Sequence, residues 1–180
     1  MPLRKVTVYG APLLRKQSKT IEVVDQEIKD LIRDMKETMV VAGGVGLAAP
    51  QVGVSKMLFT IDWRELMDEG GKIEPYLNPE ILEFGDKVVV AQEGCLSLPD
   101  VWAEVARTNW IRVRYMYIDG EIVEEELSDF PARVFQHEYD HLCGILFIDR
   151  LTKGQRKDLK VQLQAILDGK VKGFDGTSPQ

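Results

Sequence analysis

Apolar residues recur at two different spacings along the chain, and each spacing predicts its own kind of element. Between residues 25 and 42 they fall three or four positions apart, at Ile28, Leu31, Ile32, Met35 and Met39. With Asp25 as N-cap and Gly43 as stop signal, this segment is predicted to be an amphipathic helix. Residues 58–62 and 111–119 are rich in β-branched and aromatic residues, and the second run alternates, so both are predicted to be strands.

The remaining elements follow from turn and capping signals. Asp119-Gly120 predicts a hairpin between 111–119 and the strand that follows. One helix is predicted from Ser128 or Asp129 to Gly144. A capping box at Thr152 starts another helix, whose apolar stripe is expected to be Leu159, Leu163, Ile166 and Leu167. This order predicts an α+β fold rather than repeated β–α–β units.

Composition places the chain among soluble globular domains. It has 180 residues, of which 44% are hydrophobic and 29% are charged. We expect one domain over residues 1–170 and a flexible tail over 171–180, because the tail is rich in Gly, Ser, Thr and Pro. The net charge of −6 argues against nucleic-acid binding by the chain as a whole, and no specific DNA contact is expected.

Cysteine usage and the start of the chain predict an intracellular setting. Two cysteines are too few for a disulfide framework. We find neither a signal-like apolar segment nor a run of membrane-spanning length in the sequence, so no membrane contact is expected. A bacterial or phage-type cytoplasm is favoured, although an organellar protein whose transit peptide had been removed would look the same.

The central chemical signal is the run His137-Glu138-Tyr139-Asp140-His141, which reads H-E-x-x-H. It contains both histidines of the chain. On a helix these positions are about 40° apart in projection, so both imidazoles leave one face and can share a divalent ion. Glu138 lies between them, where a general base for hydrolysis is needed. The alternative is a surface helix with two incidental histidines.

A catalytic site of this kind needs a third protein ligand. The sequence after His141 supplies few candidates: Phe147 stands where a three-histidine motif needs its last ligand, and no glutamate follows Glu138. Upstream, Cys95 in the run Glu93-Gly94-Cys95-Leu96-Ser97 offers a thiolate, although a lone cysteine is more often a packing residue. Cys143 is about 200° around the helix from His141 and is expected to serve packing.

Residues 44–51 read G-V-G-L-A-A-P-Q. They resemble a dinucleotide-binding turn, but they follow a helix, and Pro50 with Gly53 would interrupt a helix starting there. We therefore expect an extended loop that lines a cleft, with the Gln51 amide as a donor. A simple Gly-rich connection remains the alternative.

Together, G-V-G-L-A-A-P-Q (44–51), E-G-C-L-S (93–97) and H-E-Y-D-H (137–141) resemble the three signature motifs of the peptide deformylases. The form of the second motif resembles the type 1 bacterial and organellar class. The resemblance implies mostly antiparallel strands around a central metal-binding helix, with an N-terminal and a C-terminal helix. It implies a hydrolase that removes the formyl group from N-formyl-methionyl nascent peptides and releases formate.

The resemblance also implies roles for individual residues. Cys95, His137 and His141 would hold one divalent metal, natively Fe(II) and replaceable by Zn, Ni or Co. Glu138 would move the proton of the attacking water to the departing amine. The Gln51 side chain and the Leu96 N–H would hold the formyl oxyanion, and the Gly46 backbone would align the substrate.

A methionine pocket is expected beside the metal. Phe130 and Val134 precede His137 by seven and three positions, so they share its helix face. Ordinary core packing gives the same spacing. The resemblance adds residues outside this helix to the expected pocket, namely Gly44, Val45, Glu93 and Trp102. Trp102 stands where many bacterial members carry Arg.

Two further expectations concern charge. Arg107 is expected to pair with Glu93 or Asp140 beneath the metal. Residues 151–180 carry six Lys or Arg against three Asp, a net +3, and relatives dock their C-terminal helix at the ribosomal exit tunnel. The resemblance thus implies a transient ribosome contact, against the alternative of a solvated helix. Other readings of the whole chain are a metallopeptidase of another H-E-x-x-H family and a non-catalytic metal-binding module.

Overall fold

The computed structural model describes residues 3–64 and 70–177. Within these ranges the chain forms four α-helices and seven strands, with short 3-10 helices in the connections. The helices are α1 (Gln26–Val41), α2 (Asp129–Leu142), α3 (Lys153–Asp158) and α4 (Lys160–Leu167). The strands are β1 (Gly46–Ala48), β2 (Leu58–Asp62), β3 (Ile73–Phe84), β4 (Val88–Cys95), β5 (Leu98–Thr108), β6 (Trp110–Met116) and β7 (Ile122–Ser128).

The strands form two antiparallel sheets, which confirms the α+β prediction. The larger sheet has the order β1-β2-β3-β6-β7, and β4 pairs with β5 in a separate two-stranded sheet. Helix α2 contacts strands of both sheets. The metal motif predicted on this helix therefore lies between the two sheets.

The predicted N-terminal helix is confirmed with its capping signals. The Asp25 side chain accepts a hydrogen bond from the Ile28 N–H at 3.0 Å, and Gly43 has a left-handed φ of +72° just beyond the C-terminus. All five predicted apolar positions are buried. They pack in one hydrophobic cluster with Leu47, Leu58 and Leu77 of the larger sheet.

The predicted hairpin is confirmed as β6 and β7, although its connection is longer than a two-residue turn. The strands end at Met116 and resume at Ile122. The N–H of Tyr117 donates to Glu121 O, and Gly120 takes φ +90°, a conformation that glycine adopts without steric cost. The Asp119-Gly120 signal thus marks the reversal but not its length.

The C-terminal helical region begins as predicted, since Thr152 and Gln155 form the capping box. The region comprises two helices that meet at Leu159. Leu163 and Ile166 are buried, whereas Leu167 is 49% exposed. The prediction of Leu167 as part of the buried stripe is therefore wrong. It directly follows Ile166, about 100° further around the helix, and turns away from the core.

The segment 44–51 differs from the extended loop that we predicted. Residues Gly46–Ala48 form edge strand β1, which pairs with β2, and a 3-10 helix follows at Ala49–Val52. Apolar side chains account for the difference, because Leu47, Ala48 and Ala49 are fully buried. The segment is part of the core as well as the lining of a cavity.

The end of the chain lies against the domain at least as far as Phe174. The Val6 N–H donates to Phe174 O at 2.8 Å, and the Phe174 side chain packs against the cluster that contains α1. The packed chain therefore continues beyond the predicted boundary at residue 170. Flexibility of 171–180 stays a prediction, and residues 178–180 lie outside the described residues.

Candidate metal centre and active site

One face of helix α2 packs against the larger sheet, and the other face carries the predicted metal ligands. Phe135 is fully buried and packs edge-on against Phe59 and Tyr76, with ring centroids 5.0 and 5.3 Å apart. His137 is two positions further on, about 200° around the helix, and therefore faces away from this aromatic contact. Burial of an aromatic side chain stabilises the folded state by about 1.5–3 kcal/mol. Because rotation of the helix about its axis would expose Phe135, this contact fixes the direction in which His137 points.

The structure brings the three predicted ligands together. Cys95 ends β4, where a register shift after Gly94 interrupts the ladder and turns the chain towards α2. Its Sγ lies 3.2 Å from His141 Nε2. One ligand atom from each of Cys95, His137 and His141 falls within 4.8 Å of the others, and no second such group occurs in residues 3–64 and 70–177.

The chemistry of these donors fits a borderline-soft divalent cation. His137 Nδ1 is 2.9 Å from a Glu93 carboxylate oxygen, an arrangement that orients a ligating imidazole and leaves Nε2 available. Burial lowers the pKa of His141 well below its usual value, which keeps that ring neutral and able to ligate. For His137, burial lowers the pKa, but the Cys95 sulfur and Glu93 outweigh burial and raise it to about 10, so a cation that binds this ring must displace its proton.

Glu138 is buried beside this centre with one free oxygen. The residue is 4% exposed, and its Oε2 has no hydrogen-bond partner among the residues that the structure describes. Burial raises the pKa of the carboxyl group to about 7, against a lowering by His137. Glu138 also lines the cavity, so its carboxyl group is placed to exchange a proton with a molecule there.

Gly46 makes room for this carboxylate. A Cβ atom at position 46 would lie 2.2 Å from Glu138 Oε1. Because β1 is an edge strand, one side of its backbone is not used by the sheet, and Gly46 lines the cavity there. The glycine motif thus places the backbone of β1 directly beside the Glu138 carboxylate.

Gln51 is held by its oxygen, with its NH₂ group directed at the site. Its Oε1 accepts from the Ala48 N–H at 2.8 Å, which settles the orientation of the amide. Its Nε2 lies 3.4 Å from Cys95 Sγ and 3.2 Å from Ser97 Oγ. Leu96 follows Cys95 in the turn between β4 and β5 and lines the same cavity.

A cavity of about 420 Å³ opens from this centre and contains all the predicted pocket residues in its lining. Phe130 and Val134 continue the His137 face of α2, as the spacing predicts, and Gly44 and Val45 line the cavity as well. Trp102 is 61% exposed at the rim, with its ring so close to Gly94 that a Cβ there would clash at 2.6 Å.

Glu93 lines the cavity, as predicted, but its carboxylate is engaged by neighbouring side chains. Its carboxylate accepts from Arg107 Nε at 2.6 Å and from Arg133 at 2.7 Å, besides contacting His137. These hydrogen bonds outweigh burial and hold its pKa well below the usual value. Because both oxygens are engaged, Glu93 orients His137 instead of offering a free group to a substrate.

The predicted Arg107 pairing is confirmed with both partners, since Arg107 also donates to Asp140 at 2.9 Å. The buried Arg133 and the exposed Arg150 extend this network, and neither residue was predicted from the sequence. Arg133 stands four positions before His137 and seven before Asp140, so the three share one helix face. A charged residue in that position was the available signal of a buried partner.

Removal of Arg107 should destabilise the fold strongly. Its side chain is 2% exposed and joins two buried carboxylates, Glu93 and Asp140, which an Arg107→Ala variant would leave with Arg133 and Arg150 as their remaining cations. We expect the free energy of unfolding to fall by about 3–5 kcal/mol, measured in urea at equal metal loading. Arg112→Ala is the control: its exposed pairs with Glu83 and Glu124 should contribute less than about 1 kcal/mol. Equal losses in both variants would contradict the structural role of Arg107.

Comparison with known proteins decides the family. The family model described as polypeptide deformylase matches residues 3–157. The chain belongs to the peptide deformylase family. A peptide deformylase of Thermotoga neapolitana is 46% identical over 162 residues, covering 90% of this chain and 95% of that protein. The predictions of the family and of a formyl hydrolase are therefore confirmed, and a metallopeptidase of another family is not supported.

Solved deformylase structures share the fold. Peptide deformylase 1B of Arabidopsis thaliana, solved with an inhibitor, matches with a TM-score of 0.86 and 37% identity, covering 92% of this chain and 91% of that one. The Thermotoga maritima peptide deformylase matches with a TM-score of 0.78 and 45% identity, covering 84% of this chain and 99% of that one. None of the helices in residues 3–64 and 70–177 has the length and apolar character needed to cross a membrane.

Proposed function

We propose that the chain removes the formyl group from the N-terminal formyl-methionine of nascent polypeptides, with Cys95, His137 and His141 holding one divalent cation. One observation carries the proposal. A thiol and two imidazoles converge within 4.8 Å, next to the unpartnered carboxylate oxygen of Glu138, at the wall of a partly apolar cavity. Family membership supports the reaction, and the donor set supports the ligand assignment.

The proposed chemistry is addition of water to the formyl carbon followed by cleavage of the C–N bond. The bound cation would supply Lewis-acid polarisation and make a nearby water more acidic. The Glu138 carboxylate accepts the proton of the attacking water and passes it to the departing amine, so that formate and a free amino terminus result.

Three groups are proposed to position the substrate. Gln51 Nε2 and the Leu96 N–H donate to the formyl oxygen as negative charge develops on it. For Gln51 this is supported by the Ala48 bond, which fixes the amide orientation. The carbonyl of Gly46 accepts from the formamide N–H, a role supported by its place on the unpaired edge of β1.

The apolar part of the cavity is proposed to take the methionine side chain. Val134 and the half-exposed Phe130 supply part of the wall, and Gly44 with Val45 supplies another part. Trp102 covers the rim, where an aromatic ring can stack on the peptide backbone. Such a slot selects a long, flexible and apolar side chain.

Fe(II) is the proposed native metal, with Zn, Ni and Co as substitutes. One thiolate with two neutral imidazoles suits any of these borderline ions. A thiol at such a centre must stay reduced, which supports a reducing compartment and thus the cytoplasm of a bacterium or the interior of an organelle. Metal analysis of anaerobically purified protein, with activity per metal ion, tests this proposal, which fails if the iron form is inactive.

A transient ribosome contact is proposed for the basic C-terminal helices. Lys153, Arg156, Lys157 and Lys160 are exposed and line one shallow groove beside Tyr9. Phosphate backbones bind such clusters in a salt-dependent way. The Lys157→Glu substitution and added salt should each reduce co-sedimentation with ribosomes. Binding that is unchanged by both would contradict the contact.

The reaction itself is tested by the products formed from formyl-Met-Ala-Ser. We expect stoichiometric formate and intact Met-Ala-Ser, because the cavity places the cation next to the chain's formylated end. A metallopeptidase would instead cleave an internal peptide bond. Detection of Ala-Ser without formate would contradict the proposed function.

A further inference from the structure

The segment after α4 returns to the active-site cavity. The chain reverses at Gly169, which has φ +70°. Residues Lys172, Gly173 and Phe174 then line the cavity that also contains His137 and Glu138. A segment far from the three signature motifs in sequence therefore forms part of the wall around the substrate.

Contacts with the N-terminal segment fix this wall. The Val6 N–H donates to Phe174 O at 2.8 Å, and a Cβ at Gly173 would lie 2.5 Å from the Val8 side chain (Cγ1) and 3.1 Å from Val6 O, so a larger residue would not fit there without a shift. The same N-terminal segment donates from Thr7 to Gln51 O at 2.7 Å. The backbone at Lys172 is thus held in register with the catalytic motifs, while its side chain is exposed.

Lys172 lines the cavity and has no ion-pair partner among the described residues. The lining contains one other cation, Arg133, whose guanidinium donates to Glu93 and to the carbonyls of Val89 and Val105. The Lys172 ammonium makes no ion pair with any residue in the described ranges. Asp100 is the exposed acid in the same lining and does not pair with Lys172.

A formylated chain must leave the cavity through its exposed rim. With the formyl group at Glu138 and the methionine side chain between Phe130 and Val45, the residues that follow pass the exposed groups of the lining. The charged groups there are Lys172 and Asp100. A carboxylate on the leaving chain gains from an ammonium within a few ångströms, and a lysine on it is repelled.

We propose that Lys172 is a specificity-determining residue, which favours nascent peptides with Asp or Glu at one of the two positions that follow the formyl-methionine. The proposal rests on the proposed deformylase function. An exposed ion pair of this kind stabilises by up to about 1 kcal/mol, which corresponds to a preference of about fivefold. Salt should weaken the preference, because the pair is exposed to solvent.

The test compares kcat/KM for peptides that differ in one charge: formyl-Met-Glu-Ser with formyl-Met-Lys-Ser, and formyl-Met-Ala-Glu with formyl-Met-Ala-Lys. The wild-type chain should prefer the acidic member of at least one pair by about fivefold at low salt. Lys172→Gln should remove the preference, and Lys172→Glu should invert it. Lys170→Glu is the matched control, because Lys170 pairs with Asp168 and lies outside the cavity lining.

The ratio of the two rates within one variant isolates specificity from general losses of activity. A wild-type ratio near one, a ratio unchanged by Lys172→Glu, or an equal shift caused by Lys170→Glu would overturn the proposal. Failure of the deformylase function gives a different result, namely no formate from any peptide.

Discussion

Glu138→Gln should lower kcat/KM for formyl-Met-Ala-Ser by about a thousandfold, without unfolding the protein or emptying its metal site. The amide has the same shape as the carboxylate but cannot accept a proton at neutral pH. A positioned general acid–base contributes about 10²–10⁴-fold to a rate. Oε2 has no hydrogen-bond partner in the described chain, so the substitution breaks no hydrogen bond at that oxygen and removes only the electrostatic interaction of the carboxylate with its neighbours, His137 among them. Formate release under steady-state conditions measures the loss.

A matched variant and a metal assay separate chemistry from structure. Glu104→Gln changes an exposed carboxyl group on β5 and should keep wild-type activity. The Glu138→Gln protein should bind the same amount of metal, because Glu138 is not in the group of candidate ligands. Retention of more than about a tenth of wild-type kcat/KM would exclude Glu138 as the proton carrier.

Cys95→Ala should abolish stable metal binding and with it the activity. The substitution removes the only sulfur from the cluster, and two imidazoles alone leave the cation short of the three protein ligands that catalytic sites use. We expect zinc affinity to fall by at least about a hundredfold, since even lost supporting contacts cost about 10–100-fold. Competition with a chromogenic chelator gives the affinity directly.

Two further variants make the cysteine experiment decisive. Cys95→Asp supplies a carboxylate oxygen in place of the thiolate and should retain part of the affinity. Cys143→Ala is the control, because that thiol is half-buried beside Tyr139 and lies outside the candidate ligands. If Cys95→Ala bound zinc as tightly as Cys143→Ala, Cys95 would be a packing residue.

Local signals predicted those parts of the fold that local physics controls. The helix over 26–41 has a clear apolar period and a side-chain cap, and the Thr152 capping box forms as its sequence indicates. The H-E-x-x-H spacing fixes the relative direction of His137 and His141 on any regular helix. For the same reason, the placement of Phe130 and Val134 beside His137 could be predicted.

Features that depend on distant partners were not available from these patterns. Strand β1 forms because Leu47 and its neighbours are buried against α1 and β2, which a Gly-rich motif does not reveal. Strands β3, β4 and β5 were likewise not assigned. The role of Glu93 depends on two arginines, Arg107 and Arg133, from different elements. Packing of Phe174 depends on the first residues of the chain, more than 160 positions away.

X-ray absorption spectroscopy at the zinc edge of the zinc-loaded protein tests the central claim most directly. The proposed centre predicts one sulfur at about 2.3 Å and two imidazole nitrogens at about 2.0–2.1 Å, with the sulfur signal lost in Cys95→Ala and kept in Cys143→Ala. A spectrum of the wild-type protein without a sulfur neighbour, or one in which Cys143→Ala removes it, would contradict the account.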